Sequence, residues 1–328
     1  MPSASEARER ATLTPELRDR FRAALDALLP AGRLGLAVSG GPDSLALLLL
    51  AHDARPGTVM TATVDHGLRA EAADEAAMVA AVCARLNVPH TTLAVTIADD
   101  PRGVQAAARN ARYAALGEWA DAEGVTALAT AHHMDDQAET ILMRLARGAG
   151  IGGLSGIRRS RPLAEGSAIR LIRPLLDWRK TELAALVLAA GLEPARDPSN
   201  ASPRYDRTRA RALMADGWPA PQRLAAVADA AAEAEESLAW SARAIAAERI
   251  TREGDAVLAN ASGLPREYRR RLLLAAILTG TPGALPRGDS LDRLLAALDR
   301  GEVATLAGLR CDPGPPWRFT PAPPRRSF

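Results

Sequence analysis

The sequence predicts an α/β protein, a doubly wound parallel sheet followed by a second, smaller and mostly helical domain. Three observations predict it. From residue 34 to about residue 147, short apolar runs alternate with longer helical stretches, the rhythm of parallel strands joined by crossover helices. A glycine turn, Ser39-Gly40-Gly41-Pro42-Asp43-Ser44, stands where the first strand meets the first crossover helix. At 328 residues the chain exceeds the commonest single-domain size, and with only 3 % aromatics its cores rest on Leu, Ile, Val and Ala, which favours helices.

The elements follow in order. Thr14-Pro15 followed by Leu17, Phe21, Leu25 and Leu28 is a capped amphipathic helix, with a polar cap and proline in the first turn, ended by Pro30 and Gly32. Strands are expected at 34–38, 59–64, 91–95 and 126–129, and helices at 44–53, 71–87, 104–123 and 134–147. Ligands of such a sheet bind beyond the carboxyl ends of its strands. From residue 147 to 161 the texture becomes glycine-rich and arginine-rich, and reads as a mobile basic loop. Arg173-Pro174-Leu175-Leu176 and a helix at 180–190 come next. Asp216-Gly217-Trp218-Pro219-Ala220-Pro221 reads as a linker, helices are expected at 224–250 and 266–278, and residues 282–286 as a turn. The resulting division is an N-terminal helix at 1–30, a first domain at 31–215, a helical second domain at 216–312 and a loose Pro-rich tail at 313–328.

Composition narrows the function classes. A net charge of +2 says little about partners, because nucleic-acid binding depends on where charge clusters. Lys180 is the sole lysine among 41 basic residues, and arginine suits bidentate phosphate contacts. Cys83 and Cys311 lie far apart and form no C-x-x-C or metal-ligand pattern, so no disulfide framework, iron–sulfur cluster or zinc site is expected. Neither a signal-peptide core nor an apolar run long enough to span a membrane is legible, which points to the cytoplasm and away from a membrane partner.

The 39–44 turn carries the sharpest chemistry. Glycines let backbone approach a phosphate closely, successive N–H groups form an anion nest, and the helix N-terminus adds a favourable dipole. Ser39 and Ser44 are candidate phosphate donors, and Asp43 is a candidate ligand for the magnesium that accompanies ATP. The turn is no Walker loop, since G-x-x-x-x-G-K-[ST] is absent. A second cluster follows residue 129: His132, His133, Asp135, Asp136 and Glu139. Asp136 and Glu139 are three apart and Asp135 and Glu139 four apart, so either pair can share a helical face. Adjacent histidines lack the i, i+4 spacing of a zinc helix.

The S-G-G-x-D-S signature resembles that of the PP-loop ATP pyrophosphatases, whose fold is adenine nucleotide α-hydrolase-like. Further motifs narrow the likeness. Val64-Asp65-His66-Gly67-Leu68-Arg69, Arg109-Asn110-Ala111-Arg112-Tyr113, Ala131-His132-His133-Met134-Asp135-Asp136-Gln137-Ala138-Glu139-Thr140, Arg173-Pro174-Leu175-Leu176 and Asp197-Pro198-Ser199-Asn200 occur in the order seen in the tRNA(Ile)-lysidine synthetase family. The likeness covers about residues 33–215 and returns at Thr305-Leu306-Ala307-Gly308-Leu309.

The resemblance implies an ATP- and Mg2+-using ligase that adenylates the wobble cytidine of tRNA(Ile) with a CAU anticodon. The ε-amine of free L-lysine then displaces AMP to give lysidine. It implies ATP binding by Ser39, Gly40, Gly41, Pro42, Asp43 and Ser44, with Arg112 on the phosphates, Arg109 in support and His132 near the nucleotide. Asp136 and Glu139 would grip lysine. For RNA the candidates are Arg144, Arg147, Arg158, Arg159 and Arg161, then Arg204, Arg207, Arg209 and Arg211; clustered arginines give salt-sensitive phosphate contacts. Thr208 stands where the family usually has asparagine. Only the resemblance makes the second domain a tRNA-inspecting module; its helices read equally well as a docking domain or a homodimer interface. A PP-loop thiolase would need cysteines near the site, a glutamine-using amidating enzyme a glutaminase or another ammonia source, and a silent tRNA-binding protein no intact loop.

Overall fold

The computed structural model describes residues 13–29, 31–65, 71–97, 103–195 and 206–322. The chain divides into two compact units, Met1–Ala232 and Glu233–Phe328.

The first unit opens with α1 (Pro15–Leu28), capped by Thr14, whose hydroxyl accepts the Leu17 N–H, and burying Phe21 and Leu25. The alternation then runs β1 (Leu34–Ala37), α2 (Pro42–Ala54), β2 (Val59–Asp65), α3 (Glu71–Arg85), β3 (His90–Ala94), α4 (Val104–Ala122), β4 (Ala127–Ala129) and α5 (Met134–Ala146). After it come α6 (Ile151–Leu154), β5 (Ser160–Pro162), β6 (Arg170–Ile172), α7 (Lys180–Ala189) and α8 (Asp206–Leu213). Among the described residues six strands form one sheet in the order β3-β2-β1-β4-β6-β5, parallel throughout except for the edge pair β5 and β6. The chain winds outward from β1 to β3, then returns to place β4 on the other side of β1. The switch point therefore lies between β1 and β4, where the loops leaving these two strands diverge and leave a crevice.

Both faces of the sheet are covered. α2 is apolar all round, with Leu45 and Leu47 to Leu50 buried, so it lies inside the core packed on α1 and α7. On the opposite face Leu116, Trp119 and Ala120 of α4 pack with Leu128 and Leu171. Gly35 admits that packing: a Cβ there would come within 2.9 Å of both Trp119 Cζ3 and Val125 Cγ1.

Two expectations for this unit need correction. The 147–161 stretch contains α6 and β5 rather than a continuous mobile loop. Gln137 fixes it by accepting the Ile157 N–H at 2.6 Å and donating to the Ile157 carbonyl, and Arg144 donates to the carbonyls of Gly153 and Gly156. Gly156 has φ +61, and a Cβ would meet Gln137 Oε1 at 2.4 Å, so the close approach requires glycine. The Asp216–Pro221 segment is likewise not the boundary between units. The helix that follows it, α9 (Pro221–Arg249), sets Leu224 and Ala228 against Ala138 and Ile141 of α5.

The second unit holds β7 (Ile250–Glu253), β8 (Ala256–Ala259), α10 (Arg266–Gly280), α11 (Gly288–Asp299), β9 (Ala304–Leu306), β10 (Leu309–Asp312) and β11 (Trp317–Pro321). Beside its helices, its strands form an antiparallel sheet in the order β7-β8-β11-β10-β9, which the sequence did not lead one to expect. The segment read as a tail is a central strand, with Trp317 and Phe319 buried among Leu273, Ile277 and Leu295. Strands of three to five residues are too short for a strong periodic signal.

Candidate active site

The 39–44 loop leaves β1 at the switch point. Gly40 takes φ +82, open to glycine, and its carbonyl accepts the Ala195 N–H at 3.0 Å. Gly41 is the N-cap of α2 and Pro42 fills its first turn. Ser44 closes the loop from inside: it is buried, its Oγ donates to the Gly41 carbonyl at 2.9 Å and accepts the Ser39 N–H at 3.2 Å. Ser44 is therefore first a brace for the nest. Asp43, in the first turn, has one carboxylate oxygen, Oδ1, buried without a hydrogen-bond partner in the described structure.

The second loop leaves β4 and enters α5 through His133, which is 3 % exposed. Its Nδ1 accepts the Asp136 N–H at 3.3 Å while Asp136 Oδ2 accepts the His133 N–H at 3.1 Å, a reciprocal capping box. On the other edge of the ring Nε2 lies 3.5 Å from Asp43 Oδ2 and 3.6 Å from Asp136 Oδ2. Burial pulls the His133 pKa down, but the hydrogen bond to Asp43 and the charges of Asp136, Asp43 and Asp135 outweigh it, and the ring ends above its usual value. His132 points elsewhere, its Nδ1 2.9 Å from Thr130 Oγ1. Desolvation lowers its pKa to about 4; Asp136 opposes this, and Arg173, Arg109 and Arg207 add to it. The sequence assigns His133 no role, although a polar residue three before Asp136 has capping-box spacing.

The structure resolves which acids face the cleft. Asp135 is held by Arg179 Nη2 at 3.1 Å and by the Lys180 N–H at 2.8 Å, whereas Asp136 lines the cleft. Glu139 is 3 % exposed, does not line the cleft, and accepts from Arg211 Nε at 2.6 Å, with Arg207 Nε 3.8 Å away.

The cleft measures about 1020 Å³ and opens over the ends of β1, β2 and β4. Ser39, Gly41, Pro42, Asp43 and Ser44 line it from one loop, His132, His133 and Asp136 from the other. Arg109, Arg112 and Tyr113 of α4 also line it, with Arg207 and Arg211 of α8, which packs on α5, and the lone lysine, Lys180. Tyr113 organises the cations: the Arg109 and Arg161 guanidinium carbons lie 5.0 and 5.6 Å from its ring centroid. Behind it Arg173, buried, donates to the Arg158 carbonyl, and desolvation lowers its pKa.

The remaining arginines divide. Arg144 is spent on the Gly153 and Gly156 carbonyls, and Arg159 forms a two-pronged pair with Asp177 at 2.6 and 2.7 Å and approaches Asp229. Neither presents an uncommitted guanidinium to a phosphate. Arg147, Arg158 and Arg209 are exposed. Arg204, the His66-Gly67 pair and the 197–200 motif lie outside the described residues.

Among the described residues no group of three or more His, Cys, Asp or Glu side chains is arranged to hold a metal. Magnesium carried with a nucleotide asks less, because phosphate oxygens and water fill most of its shell and one or two carboxylates suffice. Asp43, with its unpartnered Oδ1, fits that demand. No described helix is long and apolar enough to cross a membrane.

Comparison with known proteins agrees with this geometry. Residues 13–216 match the PP-loop domain family. The chain is 45 % identical to the tRNA(Ile)-lysidine synthase of Zymomonas mobilis, over 97 % of each chain, and 47 % identical to that of Novosphingobium aromaticivorans, over 94 % of each. Among solved structures it shares the fold of the U34-tRNA thiolase NcsA from Methanococcus maripaludis, with a TM-score of 0.55, 16 % identity and coverage of 70 % of this chain and 80 % of that one. With a glycine nest at the switch point, acids and arginines lining one cleft, and close relatives spanning nearly its whole length, the chain belongs to the tRNA(Ile)-lysidine synthase family of PP-loop ligases.

Proposed function

We propose that the protein adenylates the wobble cytidine of tRNA(Ile) bearing a CAU anticodon and joins lysine to it, releasing pyrophosphate and then AMP. The observation that carries this reading is the convergence of the 39–44 loop and the His132–Asp136 segment on one cleft, in a chain whose relatives carry the synthase name. In the first step the cytosine carbonyl oxygen attacks the α-phosphorus of ATP, and pyrophosphate leaves into the anion nest of 39–44. In the second, the lysine ε-nitrogen attacks the ring carbon, the carbon–oxygen bond breaks, AMP leaves with that oxygen, and the amine gives up its proton. Activation is needed because cytosine's carbonyl carbon is a poor electrophile until its oxygen becomes a good leaving group.

Charges along the cleft suit these steps. Arg109 and Arg112 offer donors to phosphate oxygens as negative charge shifts to the leaving group. Asp43 would hold magnesium, which when bound neutralises charge on the departing pyrophosphate. Neutral His132 donates or accepts a hydrogen bond beside the nucleotide without adding charge. Asp136 is the acid placed to meet a lysine ammonium, and Glu139 joins it once Arg211 is exchanged away. The Glu233–Phe328 unit serves tRNA recognition in this reading, with Arg147, Arg158 and Arg209 as phosphate contacts on the first. Incubating the protein with ATP, Mg2+, labelled lysine and total tRNA, then identifying the labelled nucleoside, tests the whole proposal. Lysidine is the expected product; label in no nucleoside, or in a different one, would sink it.

A further inference from the structure

We infer that His133 is a positioning residue that holds the Asp43 carboxylate of the nucleotide loop in register with Asp136 at the start of α5. The inference rests on the adenylating reading above, in which Asp43 faces the phosphates. The β1–β4 ladder ends at the pair Leu36 and Ala129, so beyond it the two loops at the switch point lose their backbone pairing to each other. The His133 ring bridges them. Through Nδ1 it accepts the Asp136 N–H at 3.3 Å, and through Nε2 it approaches Asp43 Oδ2 at 3.5 Å and Asp136 Oδ2 at 3.6 Å. Asp135 Oδ2, 3.7 Å from Nδ1, is already engaged by Arg179 and the Lys180 N–H.

Capping alone does not account for histidine here. Ser, Thr, Asp and Asn are the preferred N-caps, and each supplies the acceptor that Nδ1 supplies with a smaller side chain. What an imidazole adds is a donor at the far edge of a flat, buried ring, 3 % exposed. That donor reaches one carboxylate from each loop. Asp43 Oδ2 is thereby occupied on the protein side, while Oδ1 is left without a hydrogen-bond partner. The carboxylate is thus oriented, with one oxygen against the ring and the other buried without a competing protein partner.

Two substitutions separate the ring's two edges. His133→Asn keeps an acceptor at the δ position and has no atom that reaches Asp43; His133→Gln keeps an amide donor at the ε position and gives up the short cap. The measurement is AMP release by the full chain with ATP, Mg2+, lysine and a CAU-anticodon tRNA(Ile) transcript, as kcat and KM for ATP, with a thermal melt of each protein. H133N should melt with the wild type and lose roughly 10²-fold in kcat with KM for ATP nearly unchanged, the scale expected when a reacting group is misplaced by about 1 Å. H133Q should melt lower and recover most of that loss. Wild-type kcat in H133N, a loss confined to KM, or an H133Q no better than H133N overturns the positioning role. So does an H133N chain that fails to fold, since its cap acceptor is retained. A wild-type chain that releases no AMP sinks the adenylating reading itself, a different result from any of these.

Discussion

The acids and the arginines of the cleft are held on opposite principles. At the acidic corner a capping box ties His133 to Asp136 at the start of α5, and the His133 ring lies 3.5 Å from Asp43 in the first turn of α2. The arginines, long side chains on α4 and α8, are steadied by stacking on Tyr113 and by the pairing of Arg211 with Glu139. Rigid acids and far-reaching arginines suit the proposed reaction, in which a leaving group is fixed while a large polyanion is admitted. Fixed groups preorganise a transition state without reorganisation cost, whereas arginines on flexible stems reshape around RNA phosphates.

If the acidic corner is the preorganised half, cutting it costs most. Asp43→Ala should lower the rate of AMP formation by about 10²–10³-fold, the scale seen when one preorganised electrostatic group is removed. Its side chain is 27 % exposed and contributes little packing, so the melt should barely move. AMP formation near the wild-type rate would show that the corner is structural and that the difference between the two sets has been misread.

The comparison extends to the units. A chain ending at Ala232 keeps Leu224 and Ala228 on α5 and should still bind ATP, whereas one ending at Asp216 exposes Ala138 and Ile141 and should melt lower. For tRNA, each lost phosphate contact flattens the log–log salt dependence by about one unit, so the Ala232 chain should show a shallower slope. An unchanged slope and affinity would leave recognition to the arginines of the first unit.

These contrasts were unequally legible in the sequence. The 39–44 loop could be read in full, since strand, glycines and helix are contiguous and each states its own geometry. The acids of α5 could be read as a set but not sorted. Asp135 and Glu139 are withdrawn by Arg179 and Arg211, partners brought in by folding from 44 and 72 residues away, and no local pattern announces them. The sheet of the second unit was missed although Leu309-Arg310-Cys311-Asp312 alternates buried with less buried residues. Four residues of alternation amid alanine-rich helices carry too little signal, and prolines on either side of Trp317 made a central strand read as tail.

A smaller effect tests the arginines. Glu139→Gln removes the charge that holds Arg211 at 2.6 Å. If Glu139 joins the lysine site by exchanging Arg211 for an ammonium, the variant should raise KM for lysine by about tenfold, the loss of one charge-assisted contact, and leave ATP binding alone. Equal losses of ATP binding and lysine use would make the pair a structural strut.

The most delicate test uses the adjacent histidines, which sample the two sets of charges from neighbouring positions. Desolvation holds His132 down at about 4, with Asp136 opposing and Arg173, Arg109 and Arg207 assisting, while carboxylates hold His133 above 6.5 against the pull of burial. The signs oppose. The folded chain binds fewer protons at His132 than the unfolded chain between pH 6.5 and about 4, so this residue's share of stability is lost as pH falls through that window. At His133 the folded chain binds more, so its share is complete below pH 6.5 and is lost as pH rises through the raised value. Proton NMR of the imidazole rings in metal-free protein, assigned with His132→Asn and His133→Asn, should therefore show one ring neutral down to about pH 4 and its neighbour still protonated above 6.5. Two rings titrating together near 6.5 would mean that solvent screens both sets alike, and the division of the cleft's charges into acids and arginines would have no electrostatic consequence at its centre.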